Sequence, residues 1–135
     1  MKLVDANVFI YAAGDDHASK APCLRVLELV HRGELEANTD IEVLQEILHY
    51  YQRRGRVGFG AEVLDRALTV APEPLAITVP IMLAAGEMLS RHPNIEARDA
   101  IHAAVVLDEG LEGIISVDRG FDAIAGITRF DPKDL

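Results

Sequence analysis

The sequence predicts an α/β protein, a three-layer α/β/α arrangement around a central, mostly parallel sheet of five strands. Two observations lead there. Short apolar segments of strand length alternate along the chain with longer segments whose apolar residues recur every three or four positions. Two of the short segments, Leu3-Val4 and Gly113 to Ser116, also run into aspartates, Asp5 and Asp118, at the strand ends where open α/β sheets place their ligands. No internal repeat, low-complexity tract or linker interrupts the pattern, so residues 1–135 are read as one domain.

The elements follow in order. Leu3-Val4 has no room for alternation and is expected to be buried on both faces, as central parallel strands are. After Asp5 and Asn7, the apolar run from Val8 to Ala13 has lost any strand period, and Gly14-Asp15-Asp16-His17 breaks it. Ser19 is placed to cap a helix to about Arg32, with Pro22 tolerated in its first turn and Leu24, Leu27 and Val30 on its core face. Leu35 to Asn38 is short enough for a second strand. Thr39-Asp40-Ile41-Glu42 reads as a capping box, threonine at the cap and glutamate three on, opening a helix to about Arg54 that Gly55 stops.

Gly58 to Val70 is the next helix, ended by Pro72 and Pro74, and Leu75 to Ile77 the third strand. Thr78 caps a helix to about Arg91, with Pro80 in its first turn. The segment Glu96 to Leu107 is small and apolar almost all round, which predicts a buried helix. Gly113 to Ser116 is the fourth strand, a short helix carries Asp122 to Ala125, and Thr128 to Phe130 is the fifth strand.

A net charge of −9 lacks the basic footprint of most nucleic-acid binders. Either polyanions are avoided, or the acids are concentrated where cations sit. The local exception is Gln52-Arg-Arg-Gly-Arg56. It reads either as solvated arginines complementing a helix C-terminus or as an edge that contacts phosphate. The single cysteine, Cys23, excludes an internal disulfide and suits a reducing compartment; among Leu24, Val26 and Leu27 it reads as a core thiol. No segment has the length or apolar purity of a membrane span, and Asp5 interrupts any signal-peptide pattern, so a cytoplasmic protein is expected.

Four acids are singled out. Asp5 and Asp118 end strands, although a lone aspartate there could equally cap the next turn. Glu42 and Glu46 share a helix face. Glu42 is occupied by its capping role, whereas Glu46 sits among Val43, Leu44, Ile47 and Leu48 with no such task. Asp99 and His102 lie one turn apart on the apolar helix. An unpaired buried carboxylate costs several kcal/mol or takes up a proton. The helix dipole offsets only ~0.3–1 kcal/mol of that, and Arg98 points away around the helix. A metal is the better partner. His102 is open to three readings: a satisfied core histidine, a contact to substrate or to a ligand residue, or a ligand itself.

If Asp5, Glu46, Asp99 and Asp118 converge, their repulsion calls for a divalent cation, and an all-oxygen site suits Mg²⁺ or Mn²⁺. Cysteine clusters and closely spaced histidines, the marks of structural zinc, are absent. Such ions activate water for phosphodiester hydrolysis and let an acidic protein hold phosphate.

The arrangement resembles the PIN-domain nucleases, and within them the VapC-type toxins of toxin–antitoxin pairs. Leu3-Val-Asp-Ala-Asn7 is similar to that family's strand ending in D-x-N or D-x-S, and Thr39 with Glu46 to its Ser/Thr followed seven residues on by an acid. Ala97-Arg-Asp-Ala-Ile-His102 resembles its R-D-x-x-H/A helix, and Ile115-Ser-Val-Asp118 its strand ending in [ST]-x-D. Ser116 stands where threonine is commoner, but the hydroxyl remains.

The resemblance implies a PIN-like fold and a Mg²⁺-dependent endoribonuclease (Mn²⁺ serving as well) that hydrolyses RNA by metal-activated water. Asp5, Glu46, Asp99 and Asp118 would be catalytic and metal-binding. Asn7, Ser116 and His102 would lie on the substrate side, the first two orienting the acids, with Asp122 a fifth acid. The implied partners are single-stranded or structured RNA, a VapB-type antitoxin filling the groove, and a second copy in a homodimer. The helices around Val43–Tyr51 and Ile81–Met88 either supply the paired surface or simply pack the core.

Two other readings compete. Dehalogenase-like phosphatases need D-x-D where this chain has Asn7, and receiver domains need a late lysine before the last strand, whereas Lys133 follows it. A non-catalytic PIN-fold module that binds RNA or protein is the alternative from another functional class.

Overall fold

Four short parallel strands carry the architecture: β1 (Lys2–Val4), β2 (Ala37–Asn38), β3 (Ile114–Ile115) and β4 (Arg129–Phe130), in the spatial order β2-β1-β3-β4. The computed structural model describes residues 1–135. Leu3 is in register with Asn38 on one side and Ile114 on the other, and Ile115 with Phe130. Side chains alternate along a strand, so β1 and β3 each send one residue to either face, and Leu3, Val4, Ile114 and Ile115 are all buried as expected.

On one face, Val4 and Ile115 pack beneath α1 (Ala6–Ala13), α2 (Lys20–His31), α3 (Ile41–Arg53) and α4 (Val57–Val70). Phe9, Val26, Ile47 and Val63 fill that layer. On the other face, Leu3 and Ile114 pack against α5 (Val79–Arg91) and α6 (Ala97–Asp108), with Phe121 from a 3-10 turn, Arg119–Ala123. Every residue of α6 from Ala100 to Val106 is buried, as its small apolar composition predicts. No helix is long and apolar enough to cross a membrane.

The sheet has four strands, not five. Leu75 to Ile77 makes only a single parallel bridge, between Leu75 and Asp40. Pro74 brings no N–H to a ladder, and Thr78 turns the chain into α5 with an oxygen aimed at the Ile81 N–H, so pairing stops after one residue.

The capping box at Thr39 is also corrected. The cap of α3 is Asp40, whose Oδ1 accepts from the Val43 N–H at 2.9 Å. Thr39 donates its hydroxyl to the carbonyl of Val4 at 2.9 Å instead, and Glu42 makes no return bond to the helix start. The reason is local. The β1 carbonyl that accepts from Thr39 is buried beside it, so the hydroxyl closes the strand and the next residue takes over the cap. Ser19 occupies its expected place before α2 but makes no side-chain cap; its carbonyl receives the Cys23 N–H. Cys23 is a core thiol, its pKa pushed up to about 12 by burial and then by Asp131.

Gly113 admits β4 to the sheet. It has φ +155°, and a Cβ there would lie 2.0 Å from the Thr128 carbonyl oxygen, which accepts the Ile114 N–H.

Candidate active site

Asp5, Glu46, Asp99 and Asp118 line one open cleft of about 830 Å³. Asp5 directly follows β1, Glu46 projects from the second turn of α3, Asp99 from the first turn of α6, and Asp118 stands just past β3. Residues more than a hundred positions apart meet because β1 and β3 are neighbours running in the same direction.

Asp5 is held on every side. Its Oδ1 accepts from the Ala6 N–H at 2.7 Å, so the capping role that competes with a catalytic one is present as well. Its Oδ2 accepts from Asn7 Nδ2 at 2.8 Å and from the Ser116 hydroxyl at 2.6 Å. Asn7 Nδ2 also donates to Ser116 Oγ at 2.9 Å, its Oδ1 accepts from the Val117 N–H at 3.2 Å, and Ser116 Oγ accepts from the Asp118 N–H at 3.0 Å. Asn7 and Ser116 thus brace the end of β1 against the end of β3 and fix Asp5 in one rotamer. Ser116 is fully buried with its hydroxyl on Asp5, whereas Asn7 lines the cleft. Burial raises the Asp5 pKa, against the opposing charge of His102.

His102 has no exposed surface. Its Nδ1 lies 2.7 Å from Asp40 Oδ2 and its Nε2 2.9 Å from Glu46 Oε1, with Asp5 Oδ1 3.9 Å from the same nitrogen. Burial alone would favour the neutral ring, but hydrogen bonds to Asp40 and Glu46 prevail and hold its pKa well above the usual histidine value. An imidazolium donating to both carboxylates satisfies every atom. Although donor atoms of Asp5, Glu46 and His102 gather within 4.8 Å, both ring nitrogens are committed and the ring does not line the cleft; of the three readings, this fits the satisfied core histidine. The ring is a structural cation that fixes Glu46, whose other oxygen makes no hydrogen bond to the protein.

Asp99 differs from the other three. It is half-buried and makes no hydrogen bond or ion pair, and its pKa is pushed up to about 6, first by burial and then by the charges of Asp5 and Asp118. Arg98 does not relieve it: that guanidinium pairs with Glu96 at 2.9 Å and stands 3.9 Å from Glu46. Asp118 Oδ1 accepts from the Gly120 N–H at 2.8 Å. Asp122 does not line the cleft; it accepts from Arg129 Nε at 2.9 Å, while Arg129 also donates to the Ser116 carbonyl.

Two features escape the sequence reading. Asp40, fully buried, is noticed there only as the second residue of a capping box. The signal for it is indirect: a buried histidine between apolar neighbours needs a polar partner on each ring nitrogen. The far end of the cleft, with Tyr11, His17, His49, Tyr50, Arg53 and Arg54, is signalled only by the arginine run.

A family model described as PIN domain matches residues 2–127. The chain is 37% identical over 129 residues to the VapC ribonuclease Mb1869c of Mycobacterium bovis and to Ribonuclease VapC13 of Mycobacterium tuberculosis, covering 96% of this chain and 98% of each relative. It is 36% identical over 125 residues to Ribonuclease VapC23 of Mycobacterium tuberculosis, covering 88% of this chain and 94% of that one. Among solved structures, VapC20 of Mycobacterium tuberculosis, a Sarcin-Ricin loop cleaving toxin, aligns with a TM-score of 0.76 at 22% identity, covering 95% of this chain and 97% of that one. VapBC2 from Rickettsia felis, bound to a DNA fragment from its promoter, aligns with a TM-score of 0.74 at 16% identity, covering 96% of each chain. At those identities the structures speak to the fold alone. The chain belongs to the PIN-domain family, and its relatives within that family are VapC ribonucleases.

Proposed function

We propose that the chain is a Mg²⁺-dependent endoribonuclease and the toxin of a VapBC-type pair, hydrolysing RNA phosphodiester bonds in the acid-lined cleft. One observation carries the reading: Asp99 has no protein partner although Asp5, Glu46 and Asp118 line the same part of the cleft. The donor set fits a hard cation. Only oxygens are free to bind, since both nitrogens of His102 are committed, and that favours Mg²⁺ or Mn²⁺ over zinc.

Asp5, Asp99 and Asp118 would hold the ion, with Glu46 beside them. The chemistry a bound Mg²⁺ supplies is activation of a water and stabilisation of the leaving oxygen. The chain's own part is positional. Asn7 and Ser116 keep Asp5 aimed into the cleft, and His102 keeps Glu46 from turning to solvent, so the acids are preorganised before substrate arrives. The 2′-hydroxyl is not needed as nucleophile, so a preference for RNA would come from contacts along the strand.

VapC names among the relatives support a VapB-type antitoxin as partner. Exposed Val79, Met82 and Leu83, on one face of α5, support a homodimer. A free core thiol suits the cytoplasm.

The test is cleavage of single-stranded RNA by the purified protein with EDTA, Mg²⁺ or Mn²⁺, alongside Asp99→Asn. Cleavage that needs the ion and is lost in the variant is expected. Inactivity with either ion on a broad RNA panel would leave a binding module in its place.

A further inference from the structure

The cleft extends well beyond the four acids, and its far end has a different chemistry. One wall there is the end of α1 and the turn after it, with Tyr11 and His17; the other is the last turn of α3, with Tyr50, Arg53 and Arg54. Each wall carries an aromatic platform. The rings of Tyr11 and His17 lie 4.8 Å apart and 34° from parallel, and the Arg54 guanidinium carbon sits 3.5 Å from the centroid of the Tyr50 ring.

The arginines are also unpaired. In a chain of net charge −9 with thirteen lysines and arginines, six pair with carboxylates, and Arg53 and Arg54 are among the seven that do not. Arg53 and Arg54 have no acid within 4.0 Å, and Arg54 donates only to the carbonyl of Tyr50. Asp15 and Asp16, on the same lip as His17, are exposed, as Arg53 and Arg54 are, so the arginines act on a phosphate by direct contact and not through the net field of this end.

We propose that this end of the cleft is a nucleotide subsite: Arg53 and Arg54 hold the phosphate next to the one that is cut, and the Tyr50 and Tyr11–His17 platforms stack its base. The ligand is a single-stranded RNA segment. A stacked aromatic and a guanidinium on facing walls suit an unpaired base and its backbone, whereas a duplex would bury its bases away from both. The inference rests on the nuclease reading for its substrate, but its geometry is separate from the acids. It also gives the unpaired arginines a role that helix-end solvation does not.

The test uses Asp5→Asn as a non-cleaving trap and a short fluorescein-labelled single-stranded RNA, read by anisotropy across a salt series with Mg²⁺ present. Adding R53Q and R54Q should weaken binding by about tenfold or more and flatten the log–log salt slope by about 0.7, the share of the one phosphate they hold. Tyr50→Ala should weaken binding by about tenfold while Tyr50→Phe does not, since stacking needs the ring and not the hydroxyl. In the cleaving protein, R53Q with R54Q should raise KM and not lower kcat. Unchanged affinity and salt slope in the arginine variants, with the wild type cleaving RNA normally, overturn the subsite and leave the nuclease reading standing. A wild type that never cleaves, yet binds RNA with the arginine-dependent salt slope, overturns the nuclease reading and supports the subsite.

Discussion

Oδ2 of Asp40 and Nδ1 of His102 lie 2.7 Å apart, with neither residue exposed, and tie the start of α3 to the first turns of α6. Asp40 caps α3 through its other oxygen, and His102 reaches on to Glu46. The two helices that deliver Glu46 and Asp99 are therefore set relative to one another by one buried charge pair.

Removing either partner strands the other. His102→Ala leaves Asp40 and Glu46 without their cation, and we expect a loss of about 3–5 kcal/mol in stability. Asp40→Asn is milder because its carbonyl oxygen can still cap Val43, but its amide cannot accept from Nδ1; a loss of about 1–3 kcal/mol follows. Urea unfolding measures both. Both variants keep the cap of α3 and break the pair, so a His102→Ala protein as stable as the wild type would mean that the buried pair carries no stability.

The pH dependence has a definite sign. Asp99, at about 6, and Asp5, also raised, keep protons in the folded state that the unfolded chain releases from about pH 4 upwards, and His102 keeps its proton beyond the usual histidine value. Each contributes stability that is full at lower pH and lost as pH rises through the folded-state value. Asp131 and Glu112, the latter at about 2, are lowered and act the other way, their contribution fading only as pH falls below about 4. The metal-free protein should therefore melt highest at about pH 4–5 and lose stability steadily from there towards pH 8.

Added Mn²⁺ must displace those carboxyl protons, so its stabilisation should grow from pH 5.5 to 8, reaching ~2.7 kcal/mol at a hundredfold excess over Kd. A thermal shift that is larger at pH 5.5 than at pH 8 would place the ion elsewhere.

Glu42 and Glu46 separate cleanly. Glu42 caps nothing, and burial and the neighbouring Glu46 raise its pKa. Glu42→Gln should thus be neutral or slightly stabilising, not destabilising as a capping box implies. Glu46→Gln can still accept from His102 but loses its charge, and the cleavage rate should fall by about 10–100-fold with the fold intact. Rates and melting temperatures of the two variants decide the assignment; a slow Glu42→Gln beside an active Glu46→Gln would reverse it.

The four acids were legible because each sits at a place sequence pattern can mark: the end of an apolar run, or a polar position on an apolar helix. Strand order was not needed to suspect them, only to bring them together. What stayed hidden was three-dimensional. That Thr39 would spend its hydroxyl on the Val4 carbonyl depends on β2 lying beside β1, and no local propensity for a capping box contains that fact. The fifth strand failed for a similar reason: Leu75 to Ile77 has strand composition, but its neighbours leave one residue free to pair. His102 read as ambiguous because its partners come from α3, sixty residues away in another layer.

Gly113 predicts how β4 depends on one missing methyl group. Gly113→Ala would set a Cβ against the Thr128 carbonyl in a backbone conformation that alanine rarely adopts, and backbone on both sides cannot yield as a flexible side chain would. We expect a loss of about 3 kcal/mol or more. Because Arg129 on β4 donates to the carbonyl of Ser116, the same change should disturb the brace on Asp5. Hydrogen exchange at Ile114 and Ser116, whose N–H groups bond to β4 and the residue before it, should quicken more than exchange in α4.

The last expectation concerns α5. Val79, Met82 and Leu83 stand 72%, 48% and 68% exposed at three- and four-residue spacing, a stripe on the side of the helix turned from Ile81 and Ala85 in the core. Burying such a stripe against its copy would stabilise a dimer by roughly 25 cal/mol per Å² of apolar surface removed from water, before the cost of association is taken off. Leu83→Asp would put a charge on each side of that contact without touching the core, so light scattering should find a dimer for the wild type and a monomer for the variant, with unchanged helicity. A wild type that stays monomeric at high micromolar concentration would assign the stripe to another partner.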